Sequence, residues 1–115
     1  MRMETYIRKS LGMKAHFVTR VEETERELVA HVERIPHRRL RCGRCGMEAK
    51  GTKGLAGGSR RWRDLSMGQK WLVIAYWPCR VVCRACGVAT EGVPWSERWS
   101  RLTRRLAEAV ALMAK

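Results

Sequence analysis

Apolar and polar positions first alternate across residues 14–21, with Phe17, Thr19 and Val21 on one side and His16, Val18 and Arg20 on the other. Residues 27–35 alternate again, setting Leu28, Ala30 and Val32 on one face before Pro36 ends the run. A period of two marks a half-buried strand, so these stretches predict a hairpin that turns through the polar residues 22–26. Ahead of it, residues 4–11 suit a short helix closed at Gly12, a natural stop.

Residues 50–59 carry Gly51, Gly54, Gly57 and Gly58 without periodicity, which predicts a mobile loop. Residues 61–65 and 70–82 predict a second hairpin around Ser66-Met67-Gly68-Gln69. Within it Trp71-Leu-Val-Ile-Ala-Tyr-Trp77 is apolar on both faces, the mark of a central strand, with Pro78 bending the chain. Residues 87–92 predict one more short strand. Ser100 is then placed to cap a last helix with Leu102, Leu106, Ala109, Val110 and Met113 as its apolar stripe. That helix meets no Gly, Asn or Pro before Lys115, so the chain is expected to be the N-terminal piece of a longer protein.

The cysteines change the picture most. Cys42-Gly-Arg-Cys45 and Cys83-Arg-Ala-Cys86 are two Cys-x-x-Cys pairs with 37 residues between them. Each such turn aims two sulfurs into one small volume, and two turns supply the four thiolates of a tetrahedral zinc site. Gly43, Gly46 and Gly87 around the pairs suit tight knuckle turns whose amides face the sulfurs. The first residues hold no apolar run of signal-peptide length, and nowhere do ~18 apolar residues run together as in a membrane span. A reducing, cytoplasmic setting is therefore expected, in which thiols hold metal rather than form disulfides. Cys79 is left over, and His37 is near enough to Cys42 to be weighed as a substitute ligand.

Charge adds a partner. The 115 residues hold 24 Lys and Arg against 11 Asp and Glu, a net +13, in a chain that is 45% hydrophobic with five Trp. So large an excess usually answers an anion. Residues 1–33 balance six basic against six acidic groups, whereas residues 34–63 set ten basic groups against Glu48 alone. A basic surround on a zinc module reads as nucleic-acid binding. Arg38, Arg39, Arg41, Arg44, Lys50, Lys53, Arg60, Arg61 and Arg63 are the expected phosphate contacts. Arg101, Arg104 and Arg105 would extend that surface at a helix start, where the dipole disfavours cations unless an anion is bound. Trp62, Trp95 and Trp99 are read first as core, and alternatively as platforms for bases.

The order of Cys42-x-x-Cys45-Gly46, Arg61-Trp-Arg-Asp-Leu65, Arg80-Val-Val-Cys83-Arg-Ala-Cys86-Gly-Val88, Thr90-Glu-Gly-Val-Pro-Trp-Ser96 and Ser100-Arg-Leu-Thr103 resembles one family. It is similar to the N-terminal zinc-binding region of the IS-L-three group of bacterial insertion-sequence transposases, from about Leu11 to the C-terminus. The resemblance implies a zinc-ribbon-like module at the front of a transposase, followed by a helix-turn-helix and a catalytic Asp/Glu domain. The first pair departs from the family's usual Cys-Pro-x-Cys, with Gly43 where proline is common.

The expected fold is α+β, a small zinc-ribbon-like antiparallel sheet with a C-terminal helix. Residues 1–97 would form the ribbon with its N-terminal hairpin, and residues 98–115 the helix that opens a following helical domain. The expected function is non-catalytic: zinc held by Cys42, Cys45, Cys83 and Cys86, and double-stranded DNA, the ends of a transposon, bound by the arginines and lysines above. Asp64 is the sole aspartate, too little for a two-metal nuclease, and is expected to pair with Arg61 or Arg63 or to satisfy a turn. Two other classes stay open: a dimerisation or protein-interaction module of a transposase-derived regulator, and a redox or metal-sensing enzyme using Cys79 with Cys83.

Overall fold

The computed structural model describes residues 2–113, an α+β arrangement of two four-stranded sheets and two helices. Helix α1 (Met3–Ser10) leads into the hairpin β1 (His16–Glu23) and β2 (Glu27–Arg34). Thr24 closes the turn, its amide donating to the Glu27 carbonyl at 2.8 Å and its hydroxyl exchanging bonds with Glu27. The short β3 (Arg41–Cys42) and β4 (Gly51–Leu55) follow, and then the hairpin β5 (Arg60–Met67) and β6 (Lys70–Tyr76). Strands β7 (Cys79–Cys83) and β8 (Gly87–Gly92) precede helix α2 (Arg104–Met113).

The first sheet has the order β1-β2-β6-β5 and the second β3-β8-β7-β4. The second is antiparallel throughout, but in the first β2 runs parallel to β6, with Val29 opposite Val73 and His31 opposite Ala75. A parallel pair needs a long crossover. Here it spans residues 35–69, so the first cysteine turn, β4 and β5 are all carried between β2 and β6.

β6 is central, as its two-sided apolar run predicts. Its inner residues Leu72, Ile74 and Tyr76 join Val18, Leu28, Ala30, Val32 and Trp62 in one core, closed by Ile7 and Leu11 around α1 and by Trp95. Trp62 and Trp95 meet edge to face, with ring centres 5.4 Å apart, so both are core residues. Pro78 does more than bend a strand. It ends β6 and sends the chain into β7 of the other sheet, because proline cannot donate to a ladder and its ring is buried at the crossing.

Two expectations are corrected. Residues 50–59 are not a loop throughout: β4 pairs with β7, Thr52 opposite Val81 and Leu55 opposite Cys79. Every β4 residue is exposed, so this edge strand is held by its backbone and leaves no apolar alternation to read. Nor does Ser100 cap the last helix. Thr103 does, its hydroxyl accepting from the Leu106 amide at 3.4 Å, while Ser100 ties off the preceding turn through the Leu102 amide at 3.1 Å. Residues 101 and 103 instead pair alongside β5 through Arg63 N–H to Arg101 O (2.8 Å) and Thr103 N–H to Arg63 O (2.9 Å). Only Leu106 of α2 is buried, and Val110 and Met113 of the expected stripe face outward.

Candidate metal centre and basic groove

The two Cys-x-x-Cys turns converge. One sulfur from each of Cys42, Cys45, Cys83 and Cys86 lies within 4.8 Å of the others, with Cys45 and Cys83 Sγ atoms 3.5 Å apart. All are free thiols. Bonds of about 2.3 Å to a tetrahedral ion place sulfurs ~3.8 Å apart, so shifts of about an ångström or less would seat a metal. The four cysteines are close enough to bind a metal ion, and soft thiolate donors suit a borderline or soft divalent one. His37 is not in the cluster, and neither is Cys79.

The local backbone builds this convergence. After each second cysteine a glycine turns the chain at positive φ, +77° at Gly46 and +74° at Gly87, where an L side chain would be strained. The Gly46 amide donates to Cys42 O at 2.9 Å and the Arg44 amide to Cys42 Sγ at 3.4 Å, a knuckle with an N–H aimed at sulfur. In the other turn the amides of Cys86 and Ala85 pull the Cys83 thiol down to about 7, while contact with Cys45 and burial push Cys86 up to about 12. One thiolate forms readily, and Cys45 and Cys86 resist ionising beside it. A divalent cation relieves that repulsion.

Gly43 sits where the first turn meets β8. Its amide donates to Thr90 O at 3.0 Å, and a Cβ there would stand 2.5 Å from that same oxygen. Gly92 packs reciprocally on Gly43 Cα. The first knuckle is therefore fastened to β8 by close backbone approach, which proline would forbid on both counts.

Behind the cysteines lies a polar tie between the sheets. Glu91 is buried and accepts from His16 Nε2 (3.0 Å), from the Tyr76 hydroxyl and from the Cys79 amide (2.9 Å). Burial and the Glu91 charge hold the Tyr76 phenol well above its usual range, and the same two causes raise the Cys79 thiol. Cys79 thus sits as a neutral thiol packed with Cys42 and Cys83. Sequence reasoning did not single out Glu91 or His16. Alternation through residues 87–92 carries the signal, since it puts Glu91 on the same face as buried Ala89.

The expected phosphate contacts divide. Arg38, Arg39, Arg41, Arg44, Arg60, Arg101 and Arg104 line one groove of about 970 Å³ beside the first knuckle, together with Lys14, Arg98 and the acidic Glu48, Glu91 and Glu97. The other five stand elsewhere. Lys50 precedes edge strand β4 and Lys53 lies within it, while Arg61 and Arg63 stand on the outer face of the first sheet, where Arg63 covers the Trp71 ring. Arg105 turns inward to Asp64, bonding through Nε (2.8 Å) and Nη2 (2.6 Å), and Thr103 adds a third bond at 2.7 Å. Asp64 therefore pairs with neither Arg61 nor Arg63: alternation along β5 points Asp64 inward and both arginines outward. Trp99 alone of the three tryptophans considered is exposed. No helix is long and apolar enough to cross a membrane among the described residues. Comparison with protein-family models, curated proteins and solved structures finds no match to this chain.

Proposed function

We propose that this chain is a zinc-ordered, non-catalytic DNA-binding module. The observation that carries the reading is that two separate sequence segments, residues 38–60 and 98–104, bring their arginines into one groove beside a four-cysteine cluster. Four thiolates in two Cys-x-x-Cys turns are the usual structural zinc set. A groove lined by seven of the expected arginines, within a chain of net +13, suits a polyanion whose condensed counterions are released on binding. The resemblance to the N-terminal region of IS-L-three transposases supports transposon-end DNA as the target and a cytoplasmic setting. Titration of zinc-loaded protein with duplex DNA across a salt series tests it. A steep fall of log affinity with log salt is expected, and affinity independent of salt would defeat the reading.

A protein-interaction role has its own support. Trp71 and Trp77 are 44% and 54% exposed, and Val110, Leu112 and Met113 stand out from α2. Apolar surface of this kind suits a partner domain or a second copy, and self-association insensitive to salt would favour it.

A further inference from the structure

Trp99 is the one non-glycine residue with positive φ among those described, at +69°, and it is 81% exposed. A bulky side chain in the left-handed region is strained, and a large exposed indole gains little from burial to offset that strain. The turn that holds it is nevertheless firmly built. Ser100 N–H bonds Glu97 O at 3.1 Å, and Ser96 Oγ donates to Leu102 O at 2.8 Å. Arg104 spans the same turn from Glu97 Oε1 (2.8 Å) to Pro94 O (2.9 Å). The ring is thus held outward by a braced loop, with the Arg98 guanidinium 5.0 Å from its centre.

That loop forms one wall of the arginine groove. A phosphate chain alone would need no presented indole.

We infer that Trp99 is a stacking platform for an unpaired nucleobase, and that the groove takes single-stranded DNA continuous with the duplex bound by its arginines. The inference rests on the nucleic-acid reading. Arg98 covers one side of the indole, leaving the other for a base, while Arg60 and Arg101 meet the backbone. Stacking accepts any base, so the preference is for strandedness rather than sequence.

The test uses zinc-loaded protein with three probes: a blunt duplex, the same duplex with a short single-stranded tail, and a single-stranded oligonucleotide. The parent chain is expected to bind the tailed duplex more tightly than the blunt one. Trp99→Ala should lose about tenfold on the tailed and single-stranded probes and little on the blunt duplex, with Trp99→Phe retaining most of the affinity. Trp99→Gly separates binding from folding. It removes both strain and indole, so its melting temperature should equal or exceed the parent's while its single-strand affinity falls. Blunt-duplex binding without any tail preference, or a Trp99→Ala chain unchanged on every probe, overturns the inference and leaves duplex binding standing. Failure of the parent to bind any of the three overturns both.

Discussion

Asp64, the only aspartate of the chain, is fully buried and receives the Arg105 guanidinium through two nitrogens, at 2.6 and 2.8 Å. Strand β5 is thereby joined to the first turn of α2. The Thr103 hydroxyl that caps the helix also bonds Asp64, so capping and docking share one carboxylate. The arrangement makes Asp64 a latch for the helix rather than a reacting group.

Cutting the latch should therefore cost stability and leave the metal in place. Removing Arg105 strands a buried carboxylate, so about 3 kcal/mol is expected for Arg105→Ala, and less for Asp64→Ala, which leaves a partly exposed guanidinium. Urea denaturation of the two singles and the double, with metal content measured on each, checks this. The double variant should cost clearly less than the sum of the singles. Additive losses would mean that the two residues do not act as a pair.

The zinc reading makes a sharper demand on the cysteines. One zinc per chain is expected, and chelation should unfold the region between the knuckles, because metal binding at such sites is folding free energy. Cys42→Ala, Cys45→Ala, Cys83→Ala and Cys86→Ala should each lose the metal. Cys79→Ala should keep it, since Cys79 lies outside the four-sulfur cluster. Metal analysis of the five variants decides the ligand set, and zinc lost from the Cys79 variant but retained by any of the others would sink it.

Cys79 also has a pH signature. Burial, then the Glu91 charge, hold its thiol above the usual value. Its neutral form is thus favoured by folding, and that contribution is present below the ordinary thiol range and fades as pH climbs through the raised value. In zinc-loaded protein, iodoacetamide should modify Cys79 slowly at pH 8 to 9, where a free cysteine reacts fast. Rapid labelling there would show an exposed, low-pKa thiol and revive the sensor alternative.

How much of this was legible depends on where the information sits. The hairpins, the central strand and the four-cysteine set follow from periodicity and spacing, which are local. The parallel union of β2 with β6 is not, because nothing in either run specifies a partner 40 or so residues away. Strand β4 escaped because all its residues are exposed and its glycines read as a loop, although its backbone completes the edge of the second sheet. At the site, the charge run in residues 34–63 gives the sum but not the direction of each side chain. Alternation along β5 could have parted Arg60, which shares its face with buried Trp62, from outward Arg61 and Arg63.

Gly43 offers a test of why the first knuckle lacks proline. A methyl group at this position would meet the Thr90 carbonyl at 2.5 Å, well inside contact distance and against backbone that cannot swing aside. Gly43→Ala should therefore destabilise the loaded protein by about 1–3 kcal/mol, the range for overpacking. Gly43→Pro should do worse, since it also removes the N–H that bonds Thr90. Zinc affinity by competition with a chromophoric chelator should fall in the same order. Wild-type affinity in the proline variant would show that the knuckle does not depend on β8.

The division of arginines between two faces separates specific placement from bulk charge. Arg38→Glu, Arg60→Glu and Arg101→Glu together alter the groove, while Arg61→Glu and Arg63→Glu alter the outer face of the first sheet. If the groove carries the phosphates, the first set should abolish measurable duplex binding at moderate salt and flatten the salt slope by about one for each phosphate left unneutralised. The second set should weaken binding only through the long-range field, an effect that vanishes once the Debye length shrinks to about 8 Å near 0.15 M salt. Neither set touches a buried group, apart from half-buried Arg60, so folding should survive and can be followed by zinc content. The result that would overturn the assignment is the reverse order, with the outer pair dominant. The polyanion would then lie across Arg61, Arg63 and the Trp71 ring that Arg63 covers.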